Sequence, residues 1–331
     1  MRLNAIFGSH MVFAAGQPIR IYGNGEGNAS ITFGGITKNI RSQSDYWMVE
    51  FPPMIHGGPY ELQFNTDEET VLLSDIYIGE VYLFAGQSNM QFKLNESTFP
   101  REKYTSDERL RLFSTERIEK TDVFTPKDGW VKCRSDEIGN WSAIAYLTSK
   151  KIAEIKNVAV GIIVCYQGGS VIESWVPAGT FEKIGIELSD EEKHFDHFSS
   201  DFSEWNMNGA LYEQCFSQVV PFPLSAVIWY QGESDTSPAE ASIYGKELSE
   251  MIKVWRSDLR NDELPFVIVQ IADFLPRDDE AWHKLQDEQL KIQDTLPYVK
   301  TVISADVCEI DHIHPPTKTA LSARIAKSLT E

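Results

Sequence analysis

Four short polar motifs in this chain hold the residue types that acyl transfer needs: Gly86-Gln87-Ser88-Asn89, Gln167-Gly168-Gly169-Ser170, Gln231-Gly232-Glu233-Ser234-Asp235 and Asp311-His312-Ile313-His314-Pro315. A serine hydroxyl becomes a useful nucleophile only when a base takes its proton, and imidazole is the side chain whose ordinary pKa suits that task near neutrality. Ser88 would attack. His314 would accept the proton and return it to the leaving alcohol, and Asp311, three residues earlier, would hold the imidazole in the working tautomer. Asp306 is the alternative orienting carboxylate, eight residues away and dependent on a loop folding over its strand end. A developing oxyanion would meet the backbone N–H of Ser88, that of Gly168 or Gly169, and the side-chain amide of Gln231. Gln87, Asn89, Trp175 and Glu233 flank these motifs as candidate substrate contacts, with Trp175 and Tyr230 as a sugar-stacking wall.

Each motif also has a plainer reading. Serine at a strand-to-helix turn is a favoured N-cap; Gly-Gly after a strand is often a simple turn; Glu233 can serve as an acceptor for backbone N–H groups, which is its preferred role. His312 alternates with His314 and is expected to face away from it. A helix cap at Ser88, however, has no need of the other three motifs.

The elements that would position these residues are legible in the hydrophobic pattern. Five apolar, β-rich runs read as buried strands at 76–85, 158–166, 224–231, 265–272 and 299–306. Amphipathic helices are expected at Ala143–Lys156, Pro238–Leu259, Asp279–Asp294 and Pro316–Leu329. This alternation predicts an α/β domain with a parallel sheet, and the motifs lie beyond the carboxyl ends of its strands, where open α/β sheets bind ligands. Residues 91–140 and 185–205 are charged and aperiodic, and read as loops walling a cleft. Before residue 75 the grammar differs: short β-prone runs at Pro18–Gly23, Ala29–Gly34, Tyr46–Phe51 and Pro59–Phe64 predict a small all-β, sandwich-like domain over 1–74, with 75–331 as the α/β domain.

Composition narrows the function classes. With 331 residues, 42% of them hydrophobic, the chain can bury a large core, and its net charge of −19 argues against nucleic acid or anionic membrane surfaces as partners. Cys133, Cys165, Cys215 and Cys308 are too scattered for a zinc ribbon or a disulfide framework, and no cofactor or metal is expected. No apolar run has the length of a secretory leader at the amino terminus or of a membrane span elsewhere. A cytoplasmic location is expected for the chain as given, or a periplasmic or secreted one if a leader has been removed.

The turn at Ser88 is no Gly-x-Ser-x-Gly elbow, because Met90 stands where the second glycine would be, which disfavours an ordinary α/β-hydrolase lipase. The stretches Val81–Met90, Gly168–Trp175, Leu211-Tyr212, Val227–Ser234 and Ile313–Pro315, with the opening Ile6–Val12, resemble the sialate O-acetylesterase family of carbohydrate esterases, within the SGNH hydrolase superfamily. That resemblance implies a three-layer α/β/α, flavodoxin-like domain and metal-independent removal of acetyl groups from sugar hydroxyls. It also implies Ser88 as nucleophile, His314 as base, and Gln231 where the wider superfamily uses an asparagine oxyanion donor. The reading is a serine esterase acting on O-acetylated carbohydrate through an acetyl-enzyme. The alternatives are a general short-chain SGNH esterase or thioesterase, and a non-catalytic carbohydrate-binding protein on the same fold.

Overall fold

The computed structural model describes residues 1–118 and 129–331. Seven short strands come first: β1 (Arg2–Leu3), β2 (Val12–Ala14), β3 (Ile19–Asn24), β4 (Gly27–Phe33), β5 (Ile36–Ser42), β6 (Tyr46–Phe51) and β7 (Gly57–Thr66). β3 pairs antiparallel with β1 and β6, while β4 pairs with β5 and β7. The two layers close on each other through aromatic side chains, Trp47 stacking on Phe64 and Phe33 meeting Phe51 edge-on.

The next strand, β8 (Thr70–Gly86), is 17 residues long and belongs to both halves of the molecule. Its first part pairs antiparallel with β7, and Tyr77–Gly79 runs parallel to β2. Its second part lies parallel to β11 (Val160–Tyr166) on one side and β12 (Ala226–Tyr230) on the other. β9 (Asp107–Ser114) adds in parallel outside β11, β10 (Val131–Cys133) caps that edge antiparallel, and β13 (Phe266–Val269) and β14 (Val299–Val302) extend the other side in parallel.

After residue 75, six strands, β9, β11, β8, β12, β13 and β14, therefore run parallel among the described residues, not the five expected, and the sheet continues into the amino-terminal strands, β2 included, instead of stopping there. β9 and β10 fall within the stretch read as loop at 91–140, of which 119–128 lies outside the described residues. The reason is chemical: Arg109 and Arg111 interrupt the apolar pattern of β9, yet Arg109 pairs with Asp107 and the buried Arg111 reaches Asp75. Charges neutralised in this way can sit in a strand that reads as solvated.

Helices cover both faces. α1 (Ser88–Gln91) and α3 (Ala210–Gln214) are short, whereas α2 (Ala143–Lys156), α4 (Pro238–Asp258), α5 (Glu280–Thr295) and α6 (Thr319–Thr330) are the structural ones. α2 starts at an N-cap, where Ser142 accepts a hydrogen bond from the Ala145 N–H, and ends at left-handed Asn157. α4 opens with Pro238 and a capping box between Ser237 and Glu240. Alternation along β8 divides the core: Tyr82 and Phe84 pack with residues of α2 and α6, while Val81, Leu83 and Ala85 pack with α4 and α5. The second cluster is continuous with the amino-terminal strands through Phe7, Phe13 and Phe222.

Register then fixes the site. Gly86 stands opposite Tyr166 of β11 and Tyr230 of β12, so the three strands end level and their turns leave side by side. Gly86 has φ +139°, and a Cβ there would lie 2.1 Å from the Tyr230 carbonyl oxygen, so only glycine fits where β8 ends.

Candidate active site

Ser88 is the first residue of α1, and it does not cap that helix: the N-cap is Gln87, without a side-chain cap bond. The Ser88 hydroxyl instead lies 2.8 Å from Nε2 of His314, a residue 226 positions later in the chain. That is hydrogen-bond distance between a nucleophile and its base. The Ser88 N–H, at the first position of a helix, has no acceptor within its own turn. The pair opens into a cleft of about 770 Å³ whose lining includes Gln91, Phe92, Gly168, Gly169, Phe202, Trp205, Glu233 and Arg277. Burial is the main reason that the His314 pKa lies below its ordinary value; nearby Lys318 adds to the effect and Glu96 opposes it. A depressed pKa keeps the imidazole neutral and able to accept a proton.

A rigid network holds this pair from below. Asn89 is buried; its Nδ2 donates to Glu233 Oε1 at 2.6 Å and to the Ile313 carbonyl at 2.9 Å, next to His314, while its Oδ1 accepts from Lys318 Nζ at 2.7 Å. Lys318 sits over the rings of Phe92 and Tyr230, and burial pushes its pKa down to about 8. Glu233 is pushed up, first by burial, and its second carboxylate oxygen, Oε2, is buried without a hydrogen-bond partner. Gln87 ties two turns together, accepting from the Gly232 N–H at 3.1 Å and donating to Ser234 Oγ at 3.4 Å.

The glycines stand beside Ser88. A Cβ on Gly168 would come within 3.6 Å of the Ser88 Cβ, and the Gly168 N–H donates to Gln91 Oε1 at 2.9 Å. Gly169 takes φ +65° under the ring of Phe202.

Five of the residues singled out in the sequence are placed elsewhere. Gln231 is fully buried behind the cleft: its Nε2 donates to the Ser170 carbonyl at 2.8 Å and to Asp235 Oδ2, and its Oε1 accepts from the Tyr244 hydroxyl at 2.8 Å. With both amide hydrogens engaged and no place in the cleft lining, its carboxamide does not face Ser88. Asp311 is exposed, with His312 Nε2 at 3.8 Å, and Asp306 pairs with Arg324 on the surface. Among the described residues the hydrogen bond to the His314 ring is that of Ser88, so neither aspartate orients the imidazole here. Trp175 packs in the core against Trp229 and Trp255, its indole N–H donating to Ser170 Oγ, and Tyr230 is likewise buried. The aromatic wall of the cleft is Phe92, Phe195, Phe202 and Trp205 instead.

Lys318 and that wall escape a reading of the sequence, since a lysine before a helix and aromatics in an aperiodic loop give no local signal. A second group is also invisible from spacing. His197, Asp235 and Glu240 turn ligating atoms within 4.8 Å of one another on the far side of the Gln231 turn. Each is already engaged by protein: His197 with Glu240 at 2.7 Å, Asp235 with Gln231 and the Ile172 N–H, Glu240 with the N–H groups of His194 and Ser237. The group therefore reads as an ion network anchoring the loop over 188–205.

Comparison with known proteins agrees with this architecture. The sialate O-acetylesterase of Homo sapiens is 24% identical over 87% of this chain and 60% of its own length, and that of Mus musculus is 25% identical over 87% of this chain and 63% of its own. The chain thus spans about three fifths of the length of these relatives. Among solved structures, a carbohydrate acetylesterase from Xanthomonas citri superposes with a TM-score of 0.85 at 26% identity, covering 98% of this chain and 73% of the other. The family model for "Carbohydrate esterase, sialic acid-specific acetylesterase" matches residues 78–331, and the chain belongs to that family of carbohydrate esterases.

Proposed function

We propose that the protein is a serine esterase that removes acetyl groups from carbohydrate hydroxyls through an acetyl-enzyme, on an SGNH-type hydrolase fold. The observation that carries this reading is the 2.8 Å contact between Ser88 Oγ and His314 Nε2 at the floor of an open cleft. Ser88 Oγ attacks the acetyl carbon as its proton moves to His314 Nε2; the bond to the sugar oxygen then breaks, and that oxygen takes the proton from the imidazolium. Water repeats the sequence in reverse and releases acetate. The oxyanion is met by the Ser88 N–H and by the N–H groups of Gly168 and Gly169, that of Gly168 once the Gln91 side chain has moved aside. In place of a hydrogen-bonded aspartate, the neutral imidazole is maintained by its buried setting and the Lys318 charge, and its backbone is fixed through Asn89 and the Ile313 carbonyl.

The test is acetate release from a panel of O-acetylated sugars. Ser88→Ala should lower kcat by roughly 10⁴-fold or more with the fold intact, and a serine-directed phosphonate should label Ser88. An active Ser88→Ala protein, or labelling elsewhere, removes this mechanism. Equal rates on acetyl and octanoyl esters would favour a general short-chain esterase instead.

A further inference from the structure

We infer that the cleft takes uncharged O-acetylated sugars and discriminates against sugars carrying a carboxylate; this rests on the esterase reading above and names the substrate class of that same site. Among the described residues four acidic side chains line the cleft, Glu96, Asp196, Asp201 and Glu233, against a single guanidinium, Arg277. The other nearby cation, Lys318, is 1% exposed and lies behind Asn89, to which its ammonium donates. Arg277 is itself heavily engaged: Nη2 donates to His194 Nε2 at 2.6 Å and to Thr236 Oγ1, Nη1 donates to the Glu233 carbonyl at 3.4 Å, and the guanidinium covers the Trp282 ring at 5.4 Å. Capture of a carboxylate calls for a planar fork of free N–H donors, and here the Nη2 edge of that fork is turned into the protein.

What the cleft does offer suits a neutral polyol. Phe92, Phe202 and Trp205 present rings against which the C–H faces of a pyranose can pack. The field of the whole chain, at a net charge of −19, acts in the same direction on an approaching anion. The description of the family as sialic acid-specific therefore does not extend to the preference of this member.

The decisive comparison removes one charge and adds only a methyl group: acetate release from 9-O-acetyl-N-acetylneuraminic acid and from its methyl ester, with an acetylated neutral xylo-oligosaccharide as a third substrate. At low ionic strength kcat/KM for the methyl ester should exceed that for the free acid by about tenfold or more, and 0.5 M NaCl should shrink the gap. Asp201→Asn should narrow it further. A free acid turned over as fast as or faster than its methyl ester overturns the inference, and loss of such a preference in Arg277→Gln would identify Arg277 as a carboxylate receptor. The same pair of ligands is also titrated into Ser88→Ala protein by calorimetry, where the ester should bind more tightly than the acid. That arm reads the discrimination without turnover, so failure of the esterase chemistry and failure of the charge inference give different results.

Discussion

Replacing Gln231 by alanine separates a structural role from a catalytic one, because the structure gives its carboxamide three buried partners and no path to the cleft. The substitution leaves the Ser170 carbonyl and one oxygen of Asp235 each without a bond they now have, whereas the Tyr244 hydroxyl keeps the main-chain carbonyl of Gln231 as acceptor at 3.0 Å. A buried polar group left unsatisfied costs about 1–3 kcal/mol, so two such groups cost roughly 2–6 kcal/mol before any relaxation or entry of water. Even the lower bound is a large part of a typical folding free energy of about 5–15 kcal/mol. At roughly 2–4 °C per kcal/mol for a sizeable domain, Tm should fall by at least about 4–8 °C. Calorimetric melting of Gln231→Ala should show that drop, and kcat measured on the folded fraction well below Tm should decline by less than the roughly 10²- to 10³-fold lost with an oxyanion donor. A variant that melts with wild-type protein yet loses 10²-fold or more in kcat at unchanged KM would refute this assignment and return Gln231 to the oxyanion hole.

Two pH experiments follow from buried charge. Because burial and Lys318 depress the His314 pKa, kcat/KM should hold as pH falls through about 6.5 and decline only below it; Lys318→Met should move that acid limb to higher pH, and an unmoved limb would show that the ammonium does not act on the imidazole. Glu247 is pushed up to about 8 by burial, then by Glu240 and Glu173, so the folded protein keeps a proton that the unfolded chain releases near 4.5. The stability contributed by that proton is fully present below about 4.5 and is lost as pH rises to about 8, by a few kcal/mol at most; Glu247→Gln should flatten the fall of Tm across that window, and parallel Tm curves for the two proteins would count against it.

Much of the scaffold was legible in sequence because its signals are local. The apolar runs of β8, β11, β12, β13 and β14 are long enough to name as strands, and α2 occupies the residues Ala143–Lys156 that its period indicates. Ser88 and His314 could be paired across 226 residues because one stands at the end of a strand and the other in a loop beyond one, both on the edge where such sheets gather their ligands. Orientation was not legible. Asp311 and Gln231 lie at the spacings that chemistry suggests, but a spacing does not tell whether a loop carboxylate turns toward solvent, as Asp311 does, or whether a carboxamide turns into the core, as Gln231 does. β9 was hidden by its arginines: the counter-charge of Arg111, Asp75, lies in another segment, and that of Arg109, Asp107, adds a further charge to the strand itself. Lys318 was hidden for a similar reason, since its meaning depends on Asn89, 229 positions earlier.

The long strand β8 bears on how this family can be cut and recombined. The family model begins at residue 78, inside a strand that starts at Thr70. A break there cuts the strand that leads to Ser88, separating most of the residues that pair with β7 from the rest and leaving Ile78 and Gly79 without β2 beside them. It would also strip Phe7 and Phe13 from a cluster that Phe222 completes from the opposite half, leaving apolar surface where a core had been. The boundary along which sequence relatedness is recognised is thus not a seam along which the molecule comes apart. Transplanting residues 78–331 onto another partner would require carrying the amino-terminal strands with them.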